Sequence, residues 1–216
     1  DYMSNEEFFK RMRESIIKGD KAKAVELARE SIEKEIDPVV AVEKGFVKGI
    51  EEVGRRFEKE EIYLPELIMG AEAMIAAMSI LRKAIEEGKE GPKTIGTALA
   101  GTVLGDIHDI GKNIVCSLFV ANGFEVIDLG TSVPPSRFVE KAKELRPHFI
   151  LLSALLTTTM PAQRDVIEAL KKANIRDEVK VFVGGAPVSQ EWADEIGADG
   201  YADNAIEAVD LAKRMV

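Results

Sequence analysis

The chain has 216 residues, 46% of them apolar and only 6% aromatic, with a net charge of −9 and a pI near 5.0. That length suits one large domain or two of about 100 residues each, and an acidic chain lacks the basic face that a nucleic-acid backbone requires. The single cysteine, Cys116, excludes a disulfide framework and a multi-thiolate metal site.

No apolar run reaches the roughly 18–20 residues expected of a membrane span. The opening DYMSNEEFF is acidic and polar rather than a signal peptide, with Met3 read as the natural start. The expectation is a soluble, cytoplasmic protein with no membrane and no nucleic-acid partner.

Residues 4–88 read as helix throughout. Ser4 is the expected N-cap of the first helix, with Glu7 three residues on. Phe8, Met12, Ile16 and Ile17 form its apolar face. Gly19 and Asp20 separate it from a second helix carrying Ala24, Leu27, Ala28 and Ile32. Asp37-Pro38 is a cap followed by proline at the first helical position. From there Val39, Val42, Phe46, Ile50, Val53 and Phe57 keep helical spacing. Leu64-Pro65 opens a fourth helix running to about Glu87, rich in methionine and alanine, with Tyr63 exposed just before it. Flexible thioethers and small residues suit a surface that packs on something broad, and ordinary bundle core accounts for most of these positions. Four helices with short turns predict a small antiparallel bundle. Residues 86–94 are charged and hold Gly88, Gly91 and Pro92, the composition of a linker.

Beyond the linker the pattern changes. TIGTALAGTVLG is a first strand, and an apolar helix then runs to Asn122-Gly123, with Cys116 as a buried inert thiol. Strands follow at FEVIDLG, HFILLSALL, VKVFVGG and DGYADN, alternating with helices. Strict alternation predicts a parallel sheet with right-handed crossovers. Nearly continuous apolar strands predict that both its faces are covered. The fold class is therefore α/β: an N-terminal four-helix bundle cap over residues 1–88, then a flavodoxin- or Rossmann-like five-stranded parallel sheet over 89–216. The expected strand order, 2-1-3-4-5, puts the ligand crevice at the carboxyl ends of strands one and three.

Three chemically loaded segments meet at that edge. The loop after strand one reads Gly105-Asp106-Ile107-His108-Asp109-Ile110-Gly111-Lys112. A carboxylate beside an imidazole orients a metal-ligating histidine: one ring nitrogen binds the metal and the other donates to the carboxylate. The plainer alternative is a polar loop histidine. Strand three ends in Ser153, followed by Leu155 and three threonines, 157 to 159, some of which cap a helix. Strand four ends in Gly184-Gly185, which means close backbone approach to something flat or large. Lys112 alone is weak support for a phosphate loop. A phospho-acceptor domain needs an aspartate where Ser153 stands, and a flavin site usually shows stacking aromatics that this half lacks. One histidine cannot hold zinc, but it can be an axial ligand to a metal already held in a macrocycle.

Asp106-x-His108-x-x-Gly111, Ser153-x-Leu155 and Gly184-Gly185 resemble, in order and spacing, the three-part signature of cobalamin-binding domains. The helical half resembles the cap module of methionine synthase and of small methyltransferase-associated corrinoid proteins. The resemblance covers essentially the whole chain and implies a cobalamin or related corrinoid, with cobalt held base-off and His-on. It implies that His108 binds cobalt through Nε2 and that Asp106 accepts the other imidazole proton. Thr159 takes the relay position often held by serine. Ser153 would bond the displaced base, with the nucleotide tail beside Leu155, Gly184 and Gly185. Thr157 would line the corrin edge, and Gly105, Ile107, Asp109 and Gly111 complete the lower loop. Tyr63 takes a cap position that is often phenylalanine. His148 matches no motif position and is expected to be exposed.

The implied activity is that of a corrinoid methyl carrier, one component of a methyltransferase system and not a complete enzyme. Cobalt(I) would accept a methyl group from a substrate:corrinoid methyltransferase of methylamine, methanol, methoxy-aromatic or betaine type. A methylcorrinoid:acceptor methyltransferase would pass it to coenzyme M or tetrahydrofolate, and a reductive activation protein would rescue oxidised cobalt. The cap would move aside for each partner about a hinge at 86–94. Three alternatives share the motif: a cobalamin-binding sensor or regulatory module, the small subunit of an adenosylcobalamin mutase, and a storage module without turnover.

Overall fold

The apolar spacing of the first 86 residues builds helices, and capping side chains set most of their ends. In the computed structural model, which describes residues 2–86 and 94–216, α1 spans Tyr2–Ile17 and α2 spans Lys21–Glu33. Asp20 caps α2 by accepting from the Lys23 amide at 2.9 Å. Asp37 accepts from the amides of Val39 and Val40 at the start of α3, Pro38–Ala41. α3 continues through a π-helical turn, Val42–Phe46, into α4, Val47–Glu58. α5 spans Leu64–Glu86. The first helix thus begins at Tyr2, so Ser4 lies inside it and is not its cap. Most of the expected linker, residues 87–93, lies outside the described residues, and the hinge expectation with it.

The π turn has a packing reason. A Cβ on Gly45 would lie 2.5 Å from Met12 Sδ, and one on Gly49 would lie 2.8 Å from the Arg13 carbonyl oxygen. Two glycines a turn apart let α1 lie against the backbone of the third rod, and the widened turn falls there. The second departure concerns α5. Leu64–Arg82 has the length and mean hydropathy, 1.6, to cross a membrane, contrary to the reading that no stretch approached this. Leu67, Ala71, Met74, Ala77, Met78 and Leu81 of this helix are buried in the helical unit, where α5 packs chiefly on α2. The composition is that of a core helix; Met69 stays exposed.

The chain divides into two units, one holding α1–α5 together with Ser117–Gly123, the other the sheet and the remaining helices. The sheet consists of β1 (Gly96–Thr102), β2 (Phe124–Asp128), β3 (Phe149–Ser153), β4 (Lys180–Gly184) and β5 (Gly200–Tyr201). All neighbouring strands pair in parallel, in the expected order β2-β1-β3-β4-β5. Helices α6 (Ile110–Ala121), α7 (Pro135–Leu145), α8 (Pro161–Lys172), α9 (Gln190–Ile196) and α10 (Ala205–Lys213) connect or follow the strands. The central strands are apolar and almost wholly buried, and Leu99, Ile150, Leu152, Val181 and Val183 share a core with Phe138, Val166, Ile167 and Leu170. The register decides where chemistry can occur. Thr102 is level with Ser153, and Ser153 with Gly184, so the loops after β1, β3 and β4 leave the sheet on one line.

Candidate functional site

The loop after β1 is pinned before it reaches the histidine. Thr102 Oγ1 donates to the His108 carbonyl at 2.8 Å, closing the loop back on the strand end. Gly105 turns with φ +84°, and its amide donates to Ser132 Oγ at 3.1 Å. The Ser132 amide, on a left-handed residue with φ +49°, donates to the Asp106 carbonyl at 2.8 Å. Sequence reasoning missed both Thr102 and Ser132. Most of their anchoring runs through backbone atoms, which leaves no side-chain pattern to read.

Asp106 is completely buried. Its Oδ1 accepts from the His108 amide at 3.0 Å and from His108 Nδ1 at 2.8 Å. Its Oδ2 accepts from the Leu155 amide at 2.7 Å and from Thr159 Oγ1 at 2.6 Å. Burial alone would push this carboxyl up. The Thr159 hydroxyl, the two amides and the His108 ring outweigh that and hold it far below the usual carboxylate range. A carboxylate can only accept, so the proton sits on His108 Nδ1 and the lone pair on Nε2. The imidazole side chain is 46% exposed, which leaves Nε2 available to a ligand. The loops after β1 and β3 thus meet through one carboxylate, which joins Asp106, His108 and Thr159.

Around the imidazole the surface is apolar. Ile107 and Ile110 are 74% and 77% exposed, and Leu104, Leu155 and Leu156 are exposed as well. Such a cluster on an otherwise ordinary surface marks a place where something apolar sits. Thr157 and Asp109 are exposed beside it. Ser153 is half-buried, and its hydroxyl has no hydrogen-bond partner among the described residues. A Cβ on Gly184 or Gly111 would meet nothing within 4 Å, whereas one on Gly185, φ +129°, would lie 1.7 Å from the Ala154 carbonyl oxygen. Gly185 is therefore required by the backbone, and Gly184 leaves open space beside Ser153. Lys112 is no phosphate ligand: it is buried and ion-paired with Asp128, and donates to Asn113 Oδ1 at 2.8 Å. Tyr63 belongs to the helical unit, where it is 74% exposed and its amide donates to Glu66 Oε2 at 3.2 Å. His148 is exposed, as expected, and its Nδ1 accepts from the Thr97 amide at 3.1 Å.

A parallel sheet of this order, with a carboxylate-held imidazole in an apolar rim at its carboxyl edge, defines a B12-binding α/β protein. Two B12 binding domain models match, one over residues 96–210 and one over 9–82. The chain belongs to the corrinoid proteins of methyltransferase systems, and its cofactor is a cobalamin-type corrinoid. It is 46% identical over 213 residues to trimethylamine corrinoid protein 1 of Methanosarcina acetivorans, covering 99% of both chains. It is 48% identical over 214 residues to dimethylamine corrinoid protein 1 of the same organism, covering 99% of this chain and 100% of that one. Among solved structures it resembles the methanol:cobalamin methyltransferase complex of Methanosarcina barkeri, with TM-score 0.73 and 31% identity over 97% of this chain and 79% of that one. It also resembles the monomethylamine corrinoid protein of Methanosarcina barkeri, with TM-score 0.55 and 38% identity over 98% of this chain and 100% of that one.

The residues present fit such a group. The imidazole Nε2 suits an axial metal position, the exposed isoleucines suit a broad apolar ring, and the open space at Gly184 beside the unpaired Ser153 hydroxyl suits a polar appendage.

Proposed function

We propose that this chain is a methyl carrier, a cytoplasmic component that receives a methyl group from a substrate-specific methyltransferase and presents it to a second, acceptor-specific one. Residues 1–88 are its cap and 89–216 its corrinoid-binding domain. The corrinoid, when bound, supplies the metal centre on which the methyl group travels. Everything else is the work of the chain. His108 would offer Nε2 to the metal of the corrinoid, base-off and His-on. Asp106 keeps the Nδ1 proton and the ring plane fixed, and Thr159 and the Leu155 amide hold Asp106 in turn. Because the Asp106 carboxyl is held so far down, it stays ionised at neutral pH and remains an acceptor for the Nδ1 proton. Ile107 and Ile110 would shield the group from water, Ser153 would bond its polar appendage, and Thr157, Leu155, Gly184 and Gly185 would line the path of that appendage. A reductive activation protein completes the partner set.

The observation that carries this reading is the buried Asp106 carboxylate with four hydrogen bonds, two of them to the histidine it orients. The identities of 46% and 48% to trimethylamine and dimethylamine corrinoid proteins favour a methylamine as donor class over methanol. The test is spin resonance of the cobalt(II) protein, reconstituted with hydroxocobalamin, wild type beside His108→Ala. A single strong nitrogen hyperfine pattern that His108→Ala loses is expected. Its presence in both proteins would mean that the lower nitrogen comes from elsewhere. Methyl transfer by a purified methylamine methyltransferase, against a methanol-specific one, then tests the donor class.

A further inference from the structure

One buried polar side chain in the α/β unit is used by nothing described so far. Gln163, in the first turn of α8, is completely buried. Its Nε2 donates to two carbonyls, Leu152 at 3.0 Å and Gly184 at 3.1 Å. Its Oε1 accepts from Trp192 Nε1 at 2.9 Å. The amide orientation is fixed by this set, because the oxygen faces a donor and the nitrogen faces two acceptors. Trp192 is itself held from outside by the Arg164 guanidinium, 4.8 Å from the ring centroid, and Arg164 pairs with Glu195.

The position of this network is what gives it meaning. Leu152 precedes Ser153, and Gly184 is the register partner of Ser153. Ladder pairing between β3 and β4 ends there, with the Ala154 amide donating to the Gly184 carbonyl at 3.0 Å. Beyond it Gly185 turns away in a conformation only glycine adopts easily, and the space beside Gly184 is open. An apolar residue would fill this core position at lower risk, since a buried amide is costly unless every bond is made. Gln163 spends its bonds on tying β3 to β4 at the mouth of that space. The same helical turn begins at Thr159–Met160, with the Gln163 amide donating to the Met160 carbonyl. One element therefore braces both the carboxylate relay and the strand ends beside the open space at Gly184.

We propose that Gln163, braced by Trp192, is a positioning residue that fixes the paired ends of β3 and β4 beside the open space at Gly184 and thereby favours a corrinoid carrying a nucleotide tail over one lacking it. The proposal rests on the corrinoid reading above. It is tested by titrating the full chain with hydroxocobalamin and, separately, with cobinamide, which has the ring but no nucleotide. Wild type is compared with Gln163→Leu and Trp192→Phe. Gln163→Leu should lose about ten-fold in cobalamin affinity, the equivalent of roughly one buried hydrogen bond, with cobinamide affinity unchanged. Trp192→Phe keeps the ring packing and removes only the Nε1 donor, so it should show a smaller loss of about three-fold in the same direction. Equal losses for both corrinoids would reveal a merely structural amide and overturn the proposal, as would unchanged cobalamin affinity in both variants. Should Gln163→Leu fail to fold, the cobalamin-to-cobinamide ratio of Trp192→Phe decides alone. Wild type retaining neither corrinoid would instead overturn the underlying reading, and that result involves no variant.

Discussion

Asp106→Asn changes one atom and should be costly. The carboxylate accepts four hydrogen bonds, two at each oxygen, and is fully buried. An asparagine keeps one acceptor oxygen and turns the other into a donor. If the amide nitrogen replaces Oδ2, it faces the Leu155 amide, donor against donor. If it replaces Oδ1, it faces the His108 amide, and the imidazole must take the tautomer with its proton on Nε2. That second outcome removes the lone pair a metal would use. Either way about two charge-assisted bonds are lost, each worth roughly 1.5–3 kcal/mol, so about 3 kcal/mol of stability should go. Trp192 is the only tryptophan and lies in the α/β unit, so its fluorescence during urea unfolding reports on that unit. The midpoint of the apoprotein should fall by about 1.5 M at a slope of roughly 2 kcal/mol per molar. The sign with pH follows from linkage. A carboxyl lowered in the folded state contributes stability that is present above its unfolded value, about 3.9, and lost as pH falls toward its folded one. The gap between wild type and Asp106→Asn should thus hold from neutral pH to about pH 4 and shrink below it. The reconstituted variant should show a reduced nitrogen hyperfine fraction. An unchanged midpoint together with an unchanged His-bound fraction would refute the assignment of Asp106 as the orienting group.

Three further outcomes are expected. Thr159→Ser should keep the hydroxyl bond to Asp106 and melt near wild type, whereas Thr159→Val removes it and should cost about 2 kcal/mol in the same urea assay. Gly184→Ala should fold normally and retain less corrinoid after gel filtration, because its methyl enters open space, whereas Gly185→Ala meets the Ala154 carbonyl and should lose about 3 kcal/mol or more of stability. Burial, with the Asp128 charge nearby, pushes the Cys116 thiol up to about 12, so alkylation at pH 8 should be about a thousand-fold slower in folded than in unfolded protein. The same shift should make wild type lose stability relative to Cys116→Ala as pH rises above roughly 8.5, since only the unfolded thiol ionises there.

The fold and the candidate site at the carboxyl edge of the sheet were legible for a shared reason: each is written in side-chain type at fixed spacing. Alternating apolar runs gave five parallel strands, and topology alone placed Asp106, His108, Ser153 and Gly184 at one edge before any contact was known. What escaped the sequence reading is carried by backbone atoms or by close packing. Thr102 and Ser132 fix the histidine loop through carbonyls and amides, so nothing about a threonine in a strand or a serine in a turn announces them. Nothing in the spacing of α8 sets Gln163 apart from the helix's other polar residues, and only the folded contacts show that its partners are Leu152 and Gly184. Gly45 and Gly49 read as ordinary helix glycines until α1 is seen against them. Lys112 alone was weak support for a phosphate loop, and the structure gives its charge to Asp128 at the end of β2.

The same geometry bears on where donor choice resides. Every group that holds His108 is internal to the α/β unit: Thr102 and Ser132 pin the backbone of its loop, and Leu155 and Thr159 bond a carboxylate with no exposed surface. A relay so enclosed has no side chain with which to read the substrate of a partner enzyme. Among the methylamines, overall identity does not sort donors either, since the trimethylamine and dimethylamine relatives stand at 46% and 48% over nearly the full chain. Selectivity for the donor must therefore be exercised at exposed positions or by the partner itself. Exchange of exposed residues between this chain and a methanol-type relative should then alter the rate of methyl transfer by a given methyltransferase and leave the His-bound fraction of the cofactor where it was. A donor switch that tracked substitutions at Thr159 or Ser132 instead would place selectivity in the relay and contradict this separation of roles.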